Sequence, residues 1–216
     1  QVIGGRWKPS HYFYKASVFT DIIASCGADG YCFVKNDGIS AFKGSLSFDL
    51  VHFDTGKVDS IIPKLDLDMK PGCAVMEGFC IKSNEGAECW SLSKIFDYYT
   101  CPKGGSDCIA VITVTDNTNN VVMKNVLALD VPGSMNLQKA NIKFTIKQDG
   151  DNAMISITTD AVAAYVVLTT ESPGRFSDNA FLLMPGTTDI EFLPFGKLDM
   201  DLLTKTLRLE HAQEYL

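Results

Sequence analysis

Three histidines, seven cysteines and the carboxylate pairs Asp66/Asp68 and Asp199/Asp201 are side chains in this 216-residue sequence with chemistry to offer. A hydrolytic triad needs a His beside a Ser or Cys nucleophile. His11 lies in an N-terminal helical stretch, His52 reads as the polar register of a strand between Leu50 and Phe53, and His211 falls in the last six residues. Each therefore reads as structural or solvent-facing. Asp66/Asp68 and Asp199/Asp201 are spaced i, i+2, which on a strand puts both carboxylates on one face. Neither pair sits in the ladder with a closing Glu that an EF-hand calcium loop uses, so both read as surface acids. Glycoside hydrolysis needs two carboxyls roughly 5 to 9 Å apart around a sugar. The glutamates (Glu77, Glu85, Glu88, Glu171, Glu191, Glu210, Glu214) fall in turns or on strand faces without an acid/base or nucleophile motif. Gly104-Gly105 lacks the G-x-x-x-x-G-K spacing of a phosphate loop. From the residues alone the expectation is a non-catalytic chain with no metal and no cofactor.

The cysteines say more about compartment than about catalysis. Cys26, Cys32, Cys73, Cys80, Cys89, Cys101 and Cys108 are separated by 5, 40, 6, 8, 11 and 6 residues, and none follows Cys108. The paired C-x2-C spacing of zinc sites is missing, so disulfides and an extracellular or lysosomal setting are expected. The odd count leaves at least one thiol free or paired with another chain. Nineteen Lys plus Arg against 26 Asp plus Glu give a net charge of -7, and the three arginines (Arg6, Arg175, Arg208) are scattered along the chain. That disfavours nucleic acid and anionic membranes as partners. No apolar run approaches the about 20 residues of a membrane span. Gln1-Val2-Ile3 shows neither an initiator Met nor a signal-peptide layout, so the sequence reads as a processed product or a fragment.

The elements that would position these residues are mostly strands. Residues 1 to 17 form a short helical tail, with Trp7, His11, Tyr12 and Lys15 at helical steps and Pro9 in the first turn. From residue 18 the period becomes two. Ser45 to Phe53 and Val58 to Lys64 flank an Asp54-Thr55-Gly56-Lys57 turn, and Cys73 to Ile81 and Ala87 to Trp90 flank another at Ser83 to Gly86. Ser91 to Tyr99 looks like one or two helical turns ended by Cys101-Pro102 and Gly104-Gly105, which marks an internal boundary. Beyond it, Ile109 to Thr115, Val121 to Leu129, Asn141 to Lys147, Ala153 to Thr159, Tyr165 to Leu168, Asp189 to Phe192 and Leu203 to Leu209 read as seven strands. The strongest hairpin turns at Asp149-Gly150. Seven short strands in about 100 residues indicate an immunoglobulin-like sandwich. The predicted fold is all-β: a helical remnant over 1–17, a first sandwich over 18–105 with a short helix near 91–99, and a second over 106–216.

Two stretches carry a resemblance. Pro173 to Met184, with Arg175, Phe176, Ser177, Asp178, Asn179 and Phe181, is similar to a G-R-F-S-D-N-x-F-L stretch in the C-terminal immunoglobulin-like domain of animal lysosomal β-mannosidases, members of glycoside hydrolase family 2. Gly4-Gly5-Arg6-Trp7-Lys8 followed by His11-Tyr12-Phe13 resembles the family's G-G-[RK]-W-K-x-x-H-Y-F, which enters the last helix of the catalytic barrel. The lead-in Gln1-Val2-Ile3 departs from the family's pattern, and residues 18 to 72 match weakly.

The resemblance implies a retaining exo-hydrolase of terminal β-linked mannose, with a nucleophilic and an acid/base Glu on barrel strands preceding Gln1. Neither Glu maps onto this sequence. By the same implication the chain is scaffold, its partner is the catalytic barrel of the same enzyme, Trp7, His11, Tyr12 and Phe13 pack on that barrel, and the location is lysosomal or secreted. Mannose-containing oligosaccharide would be bound mainly by that barrel. A Cys73–Cys101 bridge is implied as well, while Cys26 and Cys32, which bracket Gly27-Ala28-Asp29-Gly30, read as a local clip. The alternative is a free-standing carbohydrate-binding or adhesion module with no catalysis, which would gain nothing from exposing Trp7, Tyr12 and Phe13. A third reading is another exo-glycosidase of the same family, such as a glucosaminidase.

Overall fold

A computed structural model describes residues 5–27, 29–72, 76–80, 94–95, 101 and 103–216. Strands dominate, as the alternating sequence predicts, and the chain divides into two compact units.

The N-terminal unit comprises Lys15–Phe53 and Lys57–Asn136. Its strands are β1 (Ile22–Cys26), β2 (Tyr31–Asn36), β3 (Phe42–His52), β4 (Val58–Met69), β5 (Met76–Cys80), β6 (Cys108–Asp116) and β7 (Val121–Leu127). Among the described residues they form an antiparallel three-stranded sheet, β1-β2-β5, and an antiparallel four-stranded sheet, β4-β3-β6-β7. Ile22, Ala24 and Val34 of the first sheet share one buried cluster with Leu46, Phe48, Leu50, Ile112 and Val114 of the second. Two sheets closing on one core make a sandwich. The central position of β6 explains its sequence. Five successive residues from Cys108 to Ile112 are buried, so both faces of the strand are covered there, and a strand covered on both faces reads as a near-continuous apolar, β-branched run. Gly44 of β3 lies so close to β6 that an added Cβ would stand 2.0 Å from the Thr115 carbonyl oxygen.

This pairing moves the expected boundary. The sequence puts the division at 105/106, yet β6 runs antiparallel to β3 from Gly44↔Asp116 to His52↔Cys108, and β7 pairs with β6. Period-two alternation marks a strand without saying which sheet it joins, and the Gly104-Gly105 break is only a short 3-10 turn ahead of β6. The unit therefore extends to Asn136. Of the helix expected near 91–99 only Lys94 and Ile95 are described; both are helical, and Ile95 is buried in the core. The Ala87 to Trp90 strand lies outside the described residues.

The cysteine pairing also differs from expectation. Cys101 is bonded to Cys108, not to Cys73, and Cys26 is bonded to Cys32. The 3-10 turn Gly104–Ser106 returns the chain so that the Cα atoms of Cys101 and Cys108 stand 6.1 Å apart, within ordinary bridging reach. A sulfur already bonded there has no valence for Cys73, which lies outside the described residues.

The C-terminal unit comprises Leu137–Leu216 with Gln1–Tyr14 and Asp54–Gly56. Its strands are β8 (Lys143–Asp149), β9 (Asn152–Thr159), β10 (Ala163–Thr169), β11 (Gly174–Phe176), β12 (Phe181–Leu183), β13 (Gly186–Pro194) and β14 (Arg208–Glu210). They form a four-stranded sheet, β11-β13-β9-β8, and a three-stranded sheet, β12-β10-β14. The β8–β9 hairpin turns where expected, with Gly150 at φ +60 supplying the left-handed conformation that a two-residue hairpin loop demands. Edge strand β8 is almost wholly exposed and carries Lys143 and Lys147, charges that discourage further pairing. The core gathers Ile155, Ile157, Val166, Leu168, Phe192 and Leu203.

Two expectations in this unit are corrected. Residues 203 to 209 are not one strand: α2 (Met200–Thr206) precedes the short β14. Asp199 is its N-cap, accepting from the Leu202 N–H at 2.9 Å, and Asp201 lies in its first turn, so this carboxylate pair serves a helix start. The second correction concerns the N-terminal tail, where α1 (Pro9–Ser17) forms as expected but Tyr12 is 2 % exposed and belongs to this unit's own core.

Candidate functional site

The two distinctive sequence stretches, some 165 residues apart, meet in one cleft of about 210 Å³ in the C-terminal unit. Its walls include Arg6, Trp7, Lys8 and Tyr12 from the N-terminal stretch and Arg175, Phe176 and Asn179 from the C-terminal one. Both sides are held by direct contacts. The backbone N–H of Phe176 donates to the Tyr12 hydroxyl at 3.0 Å. The Arg175 guanidinium carbon lies 4.9 Å from the Trp7 ring centroid, a cation–π stack. Trp7 packs in turn beside His11 (4.6 Å between centroids) and edge-on to Tyr12 (5.3 Å). Arg6 Nη2 donates to the Glu171 carbonyl oxygen. Burial pushes the Tyr12 phenol above its ordinary pKa, while the Phe176 N–H and the Arg175 charge oppose that rise. The tyrosine is a neutral hydrogen-bonding strut.

Asn179 explains why the C-terminal stretch has the residues it has. Its Oδ1 accepts from the Leu168 N–H and its Nδ2 donates to the Leu168 carbonyl, both at 2.8 Å, and the side chain is buried. One amide thus stands in for a missing strand residue beside β10, whose residues 167–169 pair with β14. Ala180 takes φ +60, and Asn179 Oδ1 also accepts the Ala180 N–H. Phe176 is buried against Phe192, with centroids 5.4 Å apart. The exposed Ser177 pairs with Glu191 twice: its N–H donates to the Glu191 carbonyl and its hydroxyl accepts the Glu191 N–H. Asp178 accepts from the Asn179 N–H. Phe181 opens β12 and packs on the core.

The immunoglobulin-fold domain of the mannosidases (Ig_mannosidase) matches residues 137–215, the C-terminal unit's main segment. β-Mannosidase of Bos taurus is 48% identical over 60 residues, and that of Capra hircus 47% over 60 residues; each match covers 27% of this chain and 7% of the relative. The chain resembles the animal β-mannosidases. Among solved structures, β-D-mannosidase of Dictyoglomus thermophilum aligns with a TM-score of 0.65 at 19% identity, over 94% of this chain and 23% of that one. An exo-chitosanase of Amycolatopsis orientalis aligns at 0.54 and 15% identity, over 93% and 26%. At these identities the structural likeness is one of fold. The matched stretches span a small part of each relative.

The cleft is a packed junction, and among the described residues its lining holds no carboxylate. Trp7 and Tyr12, expected to face a barrel, are instead engaged by the chain's own sandwich, while Phe13 is 37 % exposed. Burial of Tyr12 weakens the objection to a free-standing module. Elsewhere, His52 is buried, contrary to its expected polar register, because it follows Leu46, Phe48 and Leu50 on the inward face of β3. Its Nε2 is 2.7 Å from Asp59 Oδ2 and its Nδ1 3.6 Å from Cys108 Sγ. Burial would raise the Asp59 pKa, but hydrogen bonds from Lys57 and His52 and their charge hold it below the ordinary carboxylate range. His52, Cys101 and Cys108 form the one group with metal-like spacing among the described residues, yet both sulfurs are spent in the disulfide. His211 is also buried; its Nε2 lies 3.5 Å from Glu214 and its Nδ1 has no hydrogen-bond partner. Asp66 and Asp68 are each ion-paired, with Lys64 and Lys43. Among the glutamates, Glu191 accepts from Asn152 at 2.7 Å, and Glu85 and Glu88 lie outside the described residues. The sequence reads Phe176 to Phe181 as a loop in which Asp178 and Asn179 satisfy backbone groups while the phenylalanines anchor it, and the Asn179 and Asp178 bonds bear this out; the Tyr12 bond, to a partner 164 residues away, leaves no periodic signal.

Proposed function

We propose that this chain is the C-terminal, non-catalytic part of a family 2 β-mannosidase, an exo-hydrolase of terminal non-reducing β-D-mannose. The observation that carries the reading is the junction of Arg6, Trp7 and Tyr12 with Arg175, Phe176 and Asn179, since both family-like stretches do structural work in the same place. The two units are immunoglobulin-like sandwiches in this reading, and residues 1–17 are the end of the last barrel helix. The catalytic Glu pair belongs to a barrel outside this chain, and that barrel is the partner. Phe13 and Tyr14, 37 % and 50 % exposed, are the aromatic contacts offered to it. Two disulfides favour a lysosomal or secreted location.

The purified 216-residue chain leaves a chromogenic β-D-mannopyranoside intact, whereas the longer enzyme containing it cleaves the dye. Turnover by the pure chain itself overturns the scaffold role. If the longer enzyme hydrolyses a β-glucosaminide and spares the mannoside, the exo-chitosanase-like reading replaces this one. The burial of Tyr12 within the chain's own core favours one second reading, a free-standing carbohydrate-binding module; a monomer that binds glycans unaided and comes from no longer polypeptide supports it.

A further inference from the structure

Linear spacing of the three arginines implies no cationic surface, but the fold gathers them. Arg6, Lys8 and Arg175 line the cleft beside Trp7. A second cleft, of about 460 Å³, shares Thr169 and Thr170 with the first and has Lys205 and Arg208 in its wall. The two are also linked through Arg6, which donates to the carbonyl of Glu171, a residue of the second wall. None of these five cations makes an ion pair among the described residues, although Lys35, Lys43, Lys57 and Lys64 are each held by an aspartate. Against the five stands one lining carboxylate, Glu171. In a chain of net charge -7 such a concentration runs against composition.

We propose that these adjoining clefts bind a sulfated polysaccharide. Guanidinium forks match tetrahedral oxyanions in two-point geometry, and three of the cations here are arginines. The supports are rigid: Arg175 is on β11 opposite Leu193, and Arg208 is on β14 opposite Thr169. Two clefts in succession suit a repeating anion better than a lone one. Nucleic acid is disfavoured because base stacking needs an open aromatic platform. In these walls Tyr12 and Phe176 are buried and Trp7 is stacked beneath Arg175. An anionic bilayer is disfavoured by the concave shape and the overall negative charge.

Titration of the 216-residue chain with heparin, at about 0.1 M salt and with dextran as the unsulfated control, tests the site. Wild type binds heparin and not dextran, and binding weakens as salt rises. The double variant Lys205→Glu/Arg208→Glu, at two exposed positions, retains its melting temperature and binds about tenfold more weakly. Arg175→Glu weakens binding as well. Lys43→Glu, outside both linings, leaves affinity unchanged within about twofold. Failure of wild type to bind heparin, equal binding of dextran, full affinity in the folded double variant, or tighter binding of a single-stranded oligonucleotide each overturns the proposal.

Discussion

Single atoms decide much of the C-terminal unit. Removing the Tyr12 hydroxyl strands the Phe176 N–H in a buried setting. Tyr12→Phe therefore lowers stability by about 1–2 kcal/mol in denaturant unfolding, with an unchanged slope. Asn179 satisfies both backbone groups of Leu168, so Asn179→Leu, which keeps the volume and loses both bonds, costs more, about 2–4 kcal/mol on the same measurement. Acid dependence is set partly at the β6–β7 turn. There Asp116 accepts the hydroxyl of Thr118 and the backbone N–H groups of Asn120 and Thr118, and its pKa falls from 3.8 to about 2. A carboxyl with a lowered folded-state pKa contributes stability that is complete above the unfolded value and is lost as pH falls through the folded one. Stability contributed by Asp116 is thus intact above pH 3.8 and disappears towards pH 2. Asp116→Asn flattens that part of the acid limb, as thermal melts across the window will reveal. Turn chemistry of this sort is legible in Asp116-Asn117-Thr118-Asn119-Asn120. So is the backbone-satisfying role of Asn179 in the Phe176 to Phe181 loop, whereas the Tyr12 bond is not, because its partner lies 164 residues away.

At the scale of elements, hairpins were readable and their neighbours were not. The alternation of Asn141 to Thr159 with its Gly150 turn specifies β8–β9, since period and turn residue are both local. The assignment of β6 to the same sheet as β3 depends on a contact some 60 residues away in sequence, which alternation does not encode. Helix α2 was lost for a different reason: Met200, Leu202, Leu203 and Leu207 are apolar at spacings that fit either period over so short a run, and the Asp199 cap was the available clue. Two substitutions test these placements. Gly44→Ala drives a Cβ into the Thr115 carbonyl and destabilises by about 1–3 kcal/mol, although alanine is harmless at most strand positions. Replacing Cys101 and Cys108 together with serine opens a loop closed across a sequence separation of 7 and costs about 2–3 kcal/mol. Non-reducing peptide mapping that recovers Cys101 joined to Cys73 would refute the pairing.

Across the whole molecule, sequence order and structural unit part company. The C-terminal unit is completed by residues from the opposite end of the chain, Tyr12 and Trp7 among them. A fragment of residues 137–216 alone lacks a buried aromatic and a buried hydrogen bond. It is expected to be less stable by about 3 kcal/mol than the unit with its N-terminal segment. A synthetic peptide of residues 5–17 added in trans raises the fragment's melting temperature in proportion to its saturation, and a peptide with Tyr12→Ala does not.

The indole of Trp7, held under the Arg175 guanidinium, carries a further consequence. It makes the junction self-reporting: a residue with a strong emission sits where the N-terminal segment meets β11. Detaching the leading segment would hydrate that ring and shift its fluorescence to the red, so with Trp90 replaced by phenylalanine the opening of this seam can be followed without any added dye.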